Sequence, residues 1–333
     1  MVLDILLQVA LILIGTAIVF RGSSSLEESS EELAVYYGLP PVVQGAVIVA
    51  IGSSFPELST AVLSTMIHGE FNLGVSAIVG SAIFNILVIP AASKLASPSP
   101  LKSSLLVVYK EGLFYMLSVS LMMLTFCLAI IYHPSPDQPM HGTMTRGMML
   151  LPLGLYALYV FTQYQDSRDY TPTVEPTDIV VWKSWLRMLF GLAMILAGVE
   201  ALVRGCLALG DRFEIPSFFW GATVVAAATS IPDLLASVRA ARHDNAETSL
   251  SNALGSNTFD LLIALPVGVI IAGHADVDFS IAAPMMGALT IGTVVLFTLI
   301  RTQMELDRTE AIILLTGYVG YCIWIALVSF GVL

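Results

Sequence analysis

The chain has 333 residues, of which 56% are hydrophobic and only 12% are charged. Soluble domains carry roughly 45–50% apolar and about 25% charged residues, so this composition excludes an ordinary soluble protein and indicates one embedded in a lipid bilayer. The net charge of −11 makes nucleic acid an unsuitable partner. Many of the acids fall in SSSLEESSEEL at 23–33, which we interpret as a short loop.

Long apolar stretches predict the membrane crossings, because a spanning helix needs about 20 mostly apolar residues. Ten stretches meet this criterion, near residues 3–20, 41–65, 73–92, 107–132, 144–164, 185–209, 217–240, 249–272, 281–300 and 310–332. The proline-rich TPTVEPTD at 171–178 is a natural linker between the fifth and the sixth. The sequence therefore predicts an all-α polytopic membrane protein with ten transmembrane helices.

The basic residues predict the orientation, since Lys and Arg concentrate on the cytoplasmic side of membrane proteins. With the N-terminus outside, only Arg146, Arg204 and Arg212 of the 14 basic residues face outward. This asymmetry predicts that both termini lie outside a cell membrane.

The two halves of the chain repeat each other. GAVIVAIGSSFPELST at 45–60 recurs as GATVVAAATSIPDLLA at 221–236, with seven of sixteen positions identical, and VGSAIFNIL at 79–87 recurs as LGSNTFDLL at 254–262. Because five crossings are an odd number, the second copy enters the membrane from the opposite side. We expect two inverted repeats, at 1–164 and 185–333, joined by a cytoplasmic linker at 165–184.

Each repeat carries polar groups in apolar helices. Pro56 and Pro232 cannot donate a helical hydrogen bond and so leave backbone carbonyls free. Hydroxyls lie three and four residues before Glu57 and Asp233, on the same helical face. Inversion brings these two helices together near the bilayer midplane, where small residues such as Gly80 and Gly255 permit close approach.

The donor set predicts hard cations, because it contains oxygen atoms and no thiolate or histidine. This favours Na⁺, K⁺, Ca²⁺ or Mg²⁺ over zinc or copper, and the number of oxygens suits Ca²⁺ better than Mg²⁺. Glu57, Asp233 and Asp260 together carry about three negative charges if ionised, which low dielectric tolerates only with bound cations. Alternative loads of one divalent or several monovalent ions would make the protein an antiporter.

The four motifs resemble the alpha repeats of the cation/calcium exchanger superfamily, G-[TS]-S-x-P-[ED] and G-S-x-x-x-[ND]. The pattern is similar above all to the potassium-dependent sodium/calcium exchangers, in a short prokaryotic form. The resemblance implies countertransport of Na⁺ and Ca²⁺ by alternating access, with the first and sixth helices sliding across the core. It implies cation ligands at ten positions: Ser53, Ser54, Glu57, Ser81, Asn85, Thr229, Ser230, Asp233, Ser256 and Asp260.

Two positions depart from the family pattern: Ala228 replaces the usual glycine, and Ala82 replaces a frequent asparagine after Gly-Ser. The second departure leaves potassium cotransport open, although Asp260 favours it. We expect no enzymatic activity, no cofactor besides the transported ions, and no obligate protein partner; the lipid bilayer is the expected environment.

Three alternative functions remain. A proton/calcium antiporter would use the same oxygens and release Ca²⁺ by protonating a carboxylate. A selective channel would conduct without exchange. An intramembrane aspartyl protease would also pair two acids, but it normally places Asp after Gly-x-Gly, whereas Asp233 follows Ile-Pro and Asp260 follows Thr-Phe.

Overall fold

A computed structural model describes residues 2–38, 50–97, 101–103, 107–136, 138–166, 180–243 and 246–332. The predicted crossing at 41–65 therefore begins outside the described residues, and the linker motif at 171–178 lies wholly outside them. Of the predicted linker range 165–184, residues 165–166 end one helix and residues 181–184 begin the next.

Helices make up most of the described chain. In order they are α1 Val2–Tyr36, α2 Ala50–Ser53, α3 Phe55–Met66, α4 Phe71–Ala96, α5 Gly112–Tyr132, α6 Leu150–Asp166, α7 Val181–Phe213, α8 Ser217–Trp220, α9 Ala226–Thr229, α10 Ile231–Arg242, α11 Ala246–Phe259, α12 Leu265–Ala272, α13 Phe279–Gln303 and α14 Arg308–Ser329. Short π-helical segments occupy Val107–Glu111, Gly221–Val225 and Asp260–Ala264.

Seven helices of the described residues are long and apolar enough to cross a membrane, or eight if the bent pair Ser217–Thr229 and Ile231–Arg242 forms one span. This count does not confirm the ten predicted crossings. One of the missing spans begins outside the described residues. The other, predicted at 144–164, is the 17-residue helix Leu150–Asp166, which is shorter than the roughly 20 residues of a typical span.

The acidic run at 23–33 is helical and not a loop, so that expectation is wrong. Helix α1 continues without interruption through this run to Tyr36. The reason is an amphipathic pattern: small and apolar side chains at helical spacing are buried, while Glu28 and Glu31 are exposed. The buried residues of this part are Ser23, Leu26, Ser29, Ser30, Leu33 and Ala34.

Prolines break two membrane helices at equivalent places. Pro56 and Pro232 are each the second residue of a new helix, and the preceding serine, Ser54 or Ser230, interrupts the chain of helical residues. The second break bends its helix by 43°. Both breaks follow from the missing proline N–H, and both place an acid in the first turn after the bend.

Two short antiparallel strand pairs join the halves, so the chain is not purely helical as predicted. β1 Leu101–Lys102 pairs with β4 Glu305–Leu306, and β2 His141–Thr145 pairs with β3 His274–Asp278. Strand β1 follows α4 of the first half, and β4 lies between α13 and α14, the last two helices of the second half. Strand β3 follows α12 of the second half, and β2 lies between α5 and α6, the last two helices of the first half.

Helices α1 and α7 pack backbone to backbone. A Cβ atom added at Gly15 would lie 2.7 Å from the Gly198 carbonyl oxygen, and one added at Gly198 would lie 2.8 Å from the Gly15 carbonyl oxygen. Gly22 and Gly191 repeat this reciprocal contact, at 2.9 Å in both directions. The pair is also linked by ion pairs, Arg187 to Glu32 and Arg212 to Asp4. Glycine therefore sets the close approach of these two helices.

Candidate cation site

The two proline breaks and helices α4 and α11 carry the candidate ligands. Glu57 and Asp233 begin the second half of each broken helix, and Ser81, Asn85, Ser256 and Asp260 lie on α4, on α11 and at the first residue of the following π-helical segment. All ten predicted ligands are buried, with side chains between 0% and 4% exposed. The structure therefore brings both repeats into one interior region.

Glu57 is held by one hydroxyl from each repeat. Its Oε1 accepts a hydrogen bond from Ser81 Oγ at 3.2 Å and another from Ser230 Oγ at 3.4 Å. The two hydroxyl oxygens lie 2.7 Å apart. Glu57 of the first repeat thus contacts Ser81 of the same repeat and Ser230 of the second repeat.

Asp233 is contacted from the opposite repeat. Asn85 Nδ2 donates to Asp233 Oδ2 at 3.4 Å and to Asn257 Oδ1 at 3.1 Å. Asn257 Nδ2 in turn donates to the Ala82 carbonyl at 3.0 Å. Asn257 is not among the sequence-predicted ligands; its signal in the sequence is the Asn of LGSNTFD at the place where the first repeat has Ala82.

The remaining predicted ligands have fewer contacts. Ser53 Oγ lies 3.3 Å from Ser256 Oγ. Thr229 Oγ1 donates to carbonyls of its own helix, at Val225 and Ala226. Ser54 lies beside the Asp260 carboxylate, but no described partner forms a hydrogen bond of ordinary geometry with Ser54 Oγ.

Several buried oxygen atoms in this region accept no hydrogen bond from the described residues. They are Glu57 Oε2, Asp233 Oδ1, Asn85 Oδ1 and both carboxylate oxygens of Asp260. Within the described ranges, no Lys, Arg or His forms an ion pair with any of the three acids. Buried polar atoms are normally satisfied, so these oxygens are free to accept a donor or a cation.

The three carboxylates interact with one another without forming a preassembled metal centre. The Asp260 carboxylate is near enough to Glu57 and Asp233 for their like charges to repel. Nevertheless, no three Asp, Glu, His or Cys side chains in the described part of the chain converge on one metal position. An ion held here therefore needs hydroxyl, amide or backbone oxygens beside one or two carboxylates, as hard cations accept.

The predicted close approach at glycine is observed in the first repeat. A Cβ atom at Gly80 would lie 2.6 Å from the Ala222 carbonyl oxygen and 2.9 Å from Ala222 Cα. At Gly255 no atom of the described residues lies within 4 Å of such a Cβ. The repeat aligns Ala222 with residue 46, which lies outside the described residues.

A second polar contact lies away from the acids. The sequence pairs Glu200 with Arg204 along one helix, and the structure has this ion pair. Glu200 also contacts His68, which lies in the loop between α3 and α4: His68 Nε2 is 3.1 Å from Glu200 Oε2.

The chain is similar to known proteins over most of its length. The family profile described as sodium/calcium exchanger protein matches residues 7–165 and 183–327. The relative CaxA of Alkalimonas amylolytica is 26% identical over 334 residues, covering 93% of this chain and 96% of its own length. Sodium/potassium/calcium exchanger 5 of Homo sapiens is 25% identical over 402 residues, covering 93% and 79% respectively.

The fold is likewise shared with a solved structure. The sodium-calcium exchanger NCX_Mj, soaked with Na⁺ and Sr²⁺, superposes with a TM-score of 0.63 at 23% identity, covering 95% of this chain and 97% of that one. The family profile covers both repeats and all ten buried positions. The chain therefore belongs to the sodium/calcium exchanger family.

Proposed function

We propose that this protein is a secondary antiporter that exchanges Na⁺ for Ca²⁺ across a membrane by alternating access. The observation that carries this function is the set of buried carboxylate oxygens, on Glu57, Asp233 and Asp260, that lack a hydrogen-bond donor among the described residues. Such a site is stable only with its negative charge compensated. Ions of different valence that compensate the same charge compete for the same oxygens, and this competition couples their movements.

The ten sequence-predicted ligands are the proposed coordination shell. Glu57, Asp233 and Asp260 supply charge, and the hydroxyls and Asn85 supply neutral oxygens. We add Asn257 as a positioning residue, because it holds the amide of Asn85 that contacts Asp233. Thr229 belongs to the shell through its place in the repeat, although its hydroxyl oxygen also lies within hydrogen-bonding distance of two carbonyls of its own helix.

We further propose ten crossings arranged as two inverted repeats, 1–164 and 185–333, with a cytoplasmic linker at 165–184. The strand pairing supports this arrangement. Strand β1 follows the third crossing of the first half and pairs with β4, which lies between the last two crossings of the second half. Strands β3 and β2 repeat this relationship with the halves exchanged, as a two-fold axis in the membrane plane requires.

The proposed location is the cell membrane, with both termini outside. The distribution of basic residues supports this orientation. The transported ions are substrates, and the proposal includes no cofactor and no obligate protein partner.

Potassium cotransport is part of the proposal. Three carboxylates and a divalent ion leave about one negative charge, which one monovalent cation would neutralise. Asp260 supplies the third carboxylate, and the human relative named above is a sodium/potassium/calcium exchanger.

Ca²⁺ flux in proteoliposomes tests the function. With Ca²⁺ outside, an outward Na⁺ gradient is expected to drive Ca²⁺ uptake, and Glu57→Gln is expected to abolish it while the purified protein keeps its size-exclusion profile. Uptake driven by a pH gradient with Na⁺ inert would favour the proton/calcium antiporter. Current without countertransport would favour a channel.

A further inference from the structure

A chain of buried neutral polar groups leads away from Asp233. Ser237 lies one helical turn beyond Asp233 on α10, and its Oγ accepts from Asn252 Nδ2 at 3.3 Å. Ser237 Oγ donates to the Ser249 carbonyl at 3.4 Å, and Ser249 Oγ donates to Ser93 Oγ at 3.0 Å. We name Ser93, Ser237, Ser249 and Asn252 the serine ladder.

The serine ladder extends from the acidic region, which we define as Glu57, Asp233 and Asp260, to one end of the helix bundle. Asn252 lies close enough to Asp233 to interact with its carboxylate. At the other end, Ser93 lies in the last turn of α4 and Ser249 in the first two turns of α11. The three serine side chains are fully buried. Polar groups therefore continue from the acids to the face where α4 and α10 end.

The position equivalent to each member of the serine ladder, in the other repeat, is apolar. The repeat alignment sets Ser237 against Ala61, Ser249 against Gly74, and Asn252 against Ala77. Aligning Pro90 with Pro266 sets Ser93 against Val269. The polar chain is therefore present at one end of the bundle, and the equivalent positions at the other end carry no polar side chain.

The helices also pack differently around the equivalent positions Ala61 and Gly74. A Cβ atom at Gly74 would lie 3.3 Å from Ala61 Cα, and one at Gly268 would lie 3.3 Å from Ala61 Cβ, so the helices are in direct contact. Ser64, beside Gly74, donates to the carbonyl of Ala61 in its own helix. In the serine ladder the hydroxyls instead link three helices.

We propose that the serine ladder is a transit site for Na⁺ between the acidic region and the membrane face at which α4 and α10 end. This inference rests on the proposed function. The ladder offers hydroxyl, amide and carbonyl oxygens and no carboxylate. A neutral shell leaves the charge of a bound ion uncompensated, and the cost of that charge at membrane depth is far larger for a divalent than for a monovalent ion.

Side-specific kinetics test the inference. In right-side-out and everted vesicles, Ser237→Ala and Ser249→Ala should each raise the KM for Na⁺ about fivefold on the ladder face, the effect of losing one neutral ligand. The KM on the opposite face should change far less. Ser64→Ala, which removes a buried hydroxyl of the mirrored side, is the matched control and should alter neither. Equal changes on both faces, or none, would overturn the proposal.

A second measurement does not depend on exchange. Cys127, Cys206 and Cys322 are replaced by alanine, and Ser237→Cys or its mirror Ala61→Cys is introduced. A membrane-impermeant cationic thiol reagent should modify position 237 from the ladder face, and Na⁺ should slow this reaction compared with choline at equal ionic strength. Position 61 should show no Na⁺ protection. Absence of protection at position 237 would refute the transit site, whereas protection in a protein without Na⁺-driven Ca²⁺ flux would retain it and refute the antiport proposal.

Discussion

Ser81 and Ser230 are separated by 149 positions in the chain, yet their hydroxyl oxygens lie 2.7 Å apart and both contact Oε1 of Glu57. One serine comes from each half of the molecule. The Glu57 carboxylate of the first repeat is therefore in direct contact with a hydroxyl of the second.

The Ser81 and Ser230 contact predicts coupled effects on Ca²⁺ affinity. Ser81→Ala and Ser230→Ala should each raise the KM for Ca²⁺ about fivefold, because each removes a neutral hydrogen-bonding ligand worth about 1 kcal/mol. The two hydroxyls share one partner, so the free-energy change of the double variant should differ from the sum of the two single changes by at least about 0.5 kcal/mol. Initial rates of Na⁺-driven Ca²⁺ uptake would measure this; strictly independent effects would contradict the shared contact.

Asp260→Asn should remove any dependence of exchange on K⁺. The substitution keeps the shape of a side chain whose two oxygens lack donors among the described residues, but it deletes one negative charge. The charge of the loaded site then balances without a monovalent cation. Ca²⁺ uptake would be measured with K⁺ or choline in the medium, for the parent and the variant. A parent that ignores K⁺ would remove potassium from the proposal.

Gly198→Ala should destabilise the protein. The added methyl group would meet the Gly15 carbonyl oxygen at 2.8 Å, and such overpacking costs about 1–3 kcal/mol. The matched control is Gly287→Ala, in α13, where no atom of the described residues lies within 4 Å; alanine there should be neutral or stabilising by about 0.5–1 kcal/mol. Thermal unfolding in detergent would compare them, and equal Tm values would argue against the close helix contact.

Asn257→Ala should weaken Ca²⁺ binding although Asn257 donates to no carboxylate. Its side chain fixes Asn85, which contacts Asp233, so the loss should resemble that of a supporting residue in a metal site, about 10–100-fold. Asn257→Asp supplies an oxygen acceptor for Asn85 but cannot donate to the Ala82 carbonyl. Partial recovery in this variant would support the positioning role, and no loss in Asn257→Ala would exclude it.

The candidate ligands could be selected from sequence because the repeat displays them twice. The Pro-Glu and Pro-Asp pairs, with hydroxyls three and four residues before each acid, require both helix breaks and shared helix faces. The structure buries these residues together. Pairing across the repeats, such as Ser53 with Ser256, depends on the relative placement of helices and has no local signal.

Other features had weak signals or none. The acidic run at 23–33 indicates a loop by its charge alone, whereas the helical spacing of its small and apolar residues indicates a helix. The strand pairs join loops far apart in sequence, and β1 and β4 have only two residues each, too few for a periodic pattern. The π-helical segment at Asp260 had a signal: Phe259 to Pro266 is one residue longer than Phe84 to Pro90, and a π-bulge accommodates such an extra residue.

The two strand pairs limit how the molecule changes shape. They lie at opposite ends of α5, since β1 precedes this helix and β2 follows it. Each pair fastens a loop of one half to a loop of the other by backbone hydrogen bonds, so the halves cannot swing open like a clamshell at either surface without breaking them. Neither strand pair directly adjoins α1 or α7 in the chain, and these two helices contact each other through Gly15, Gly22, Gly191 and Gly198. We therefore expect the movement that exposes the ions to one side and then the other to be a translation of α1 and α7 relative to the helices that the strand pairs hold together.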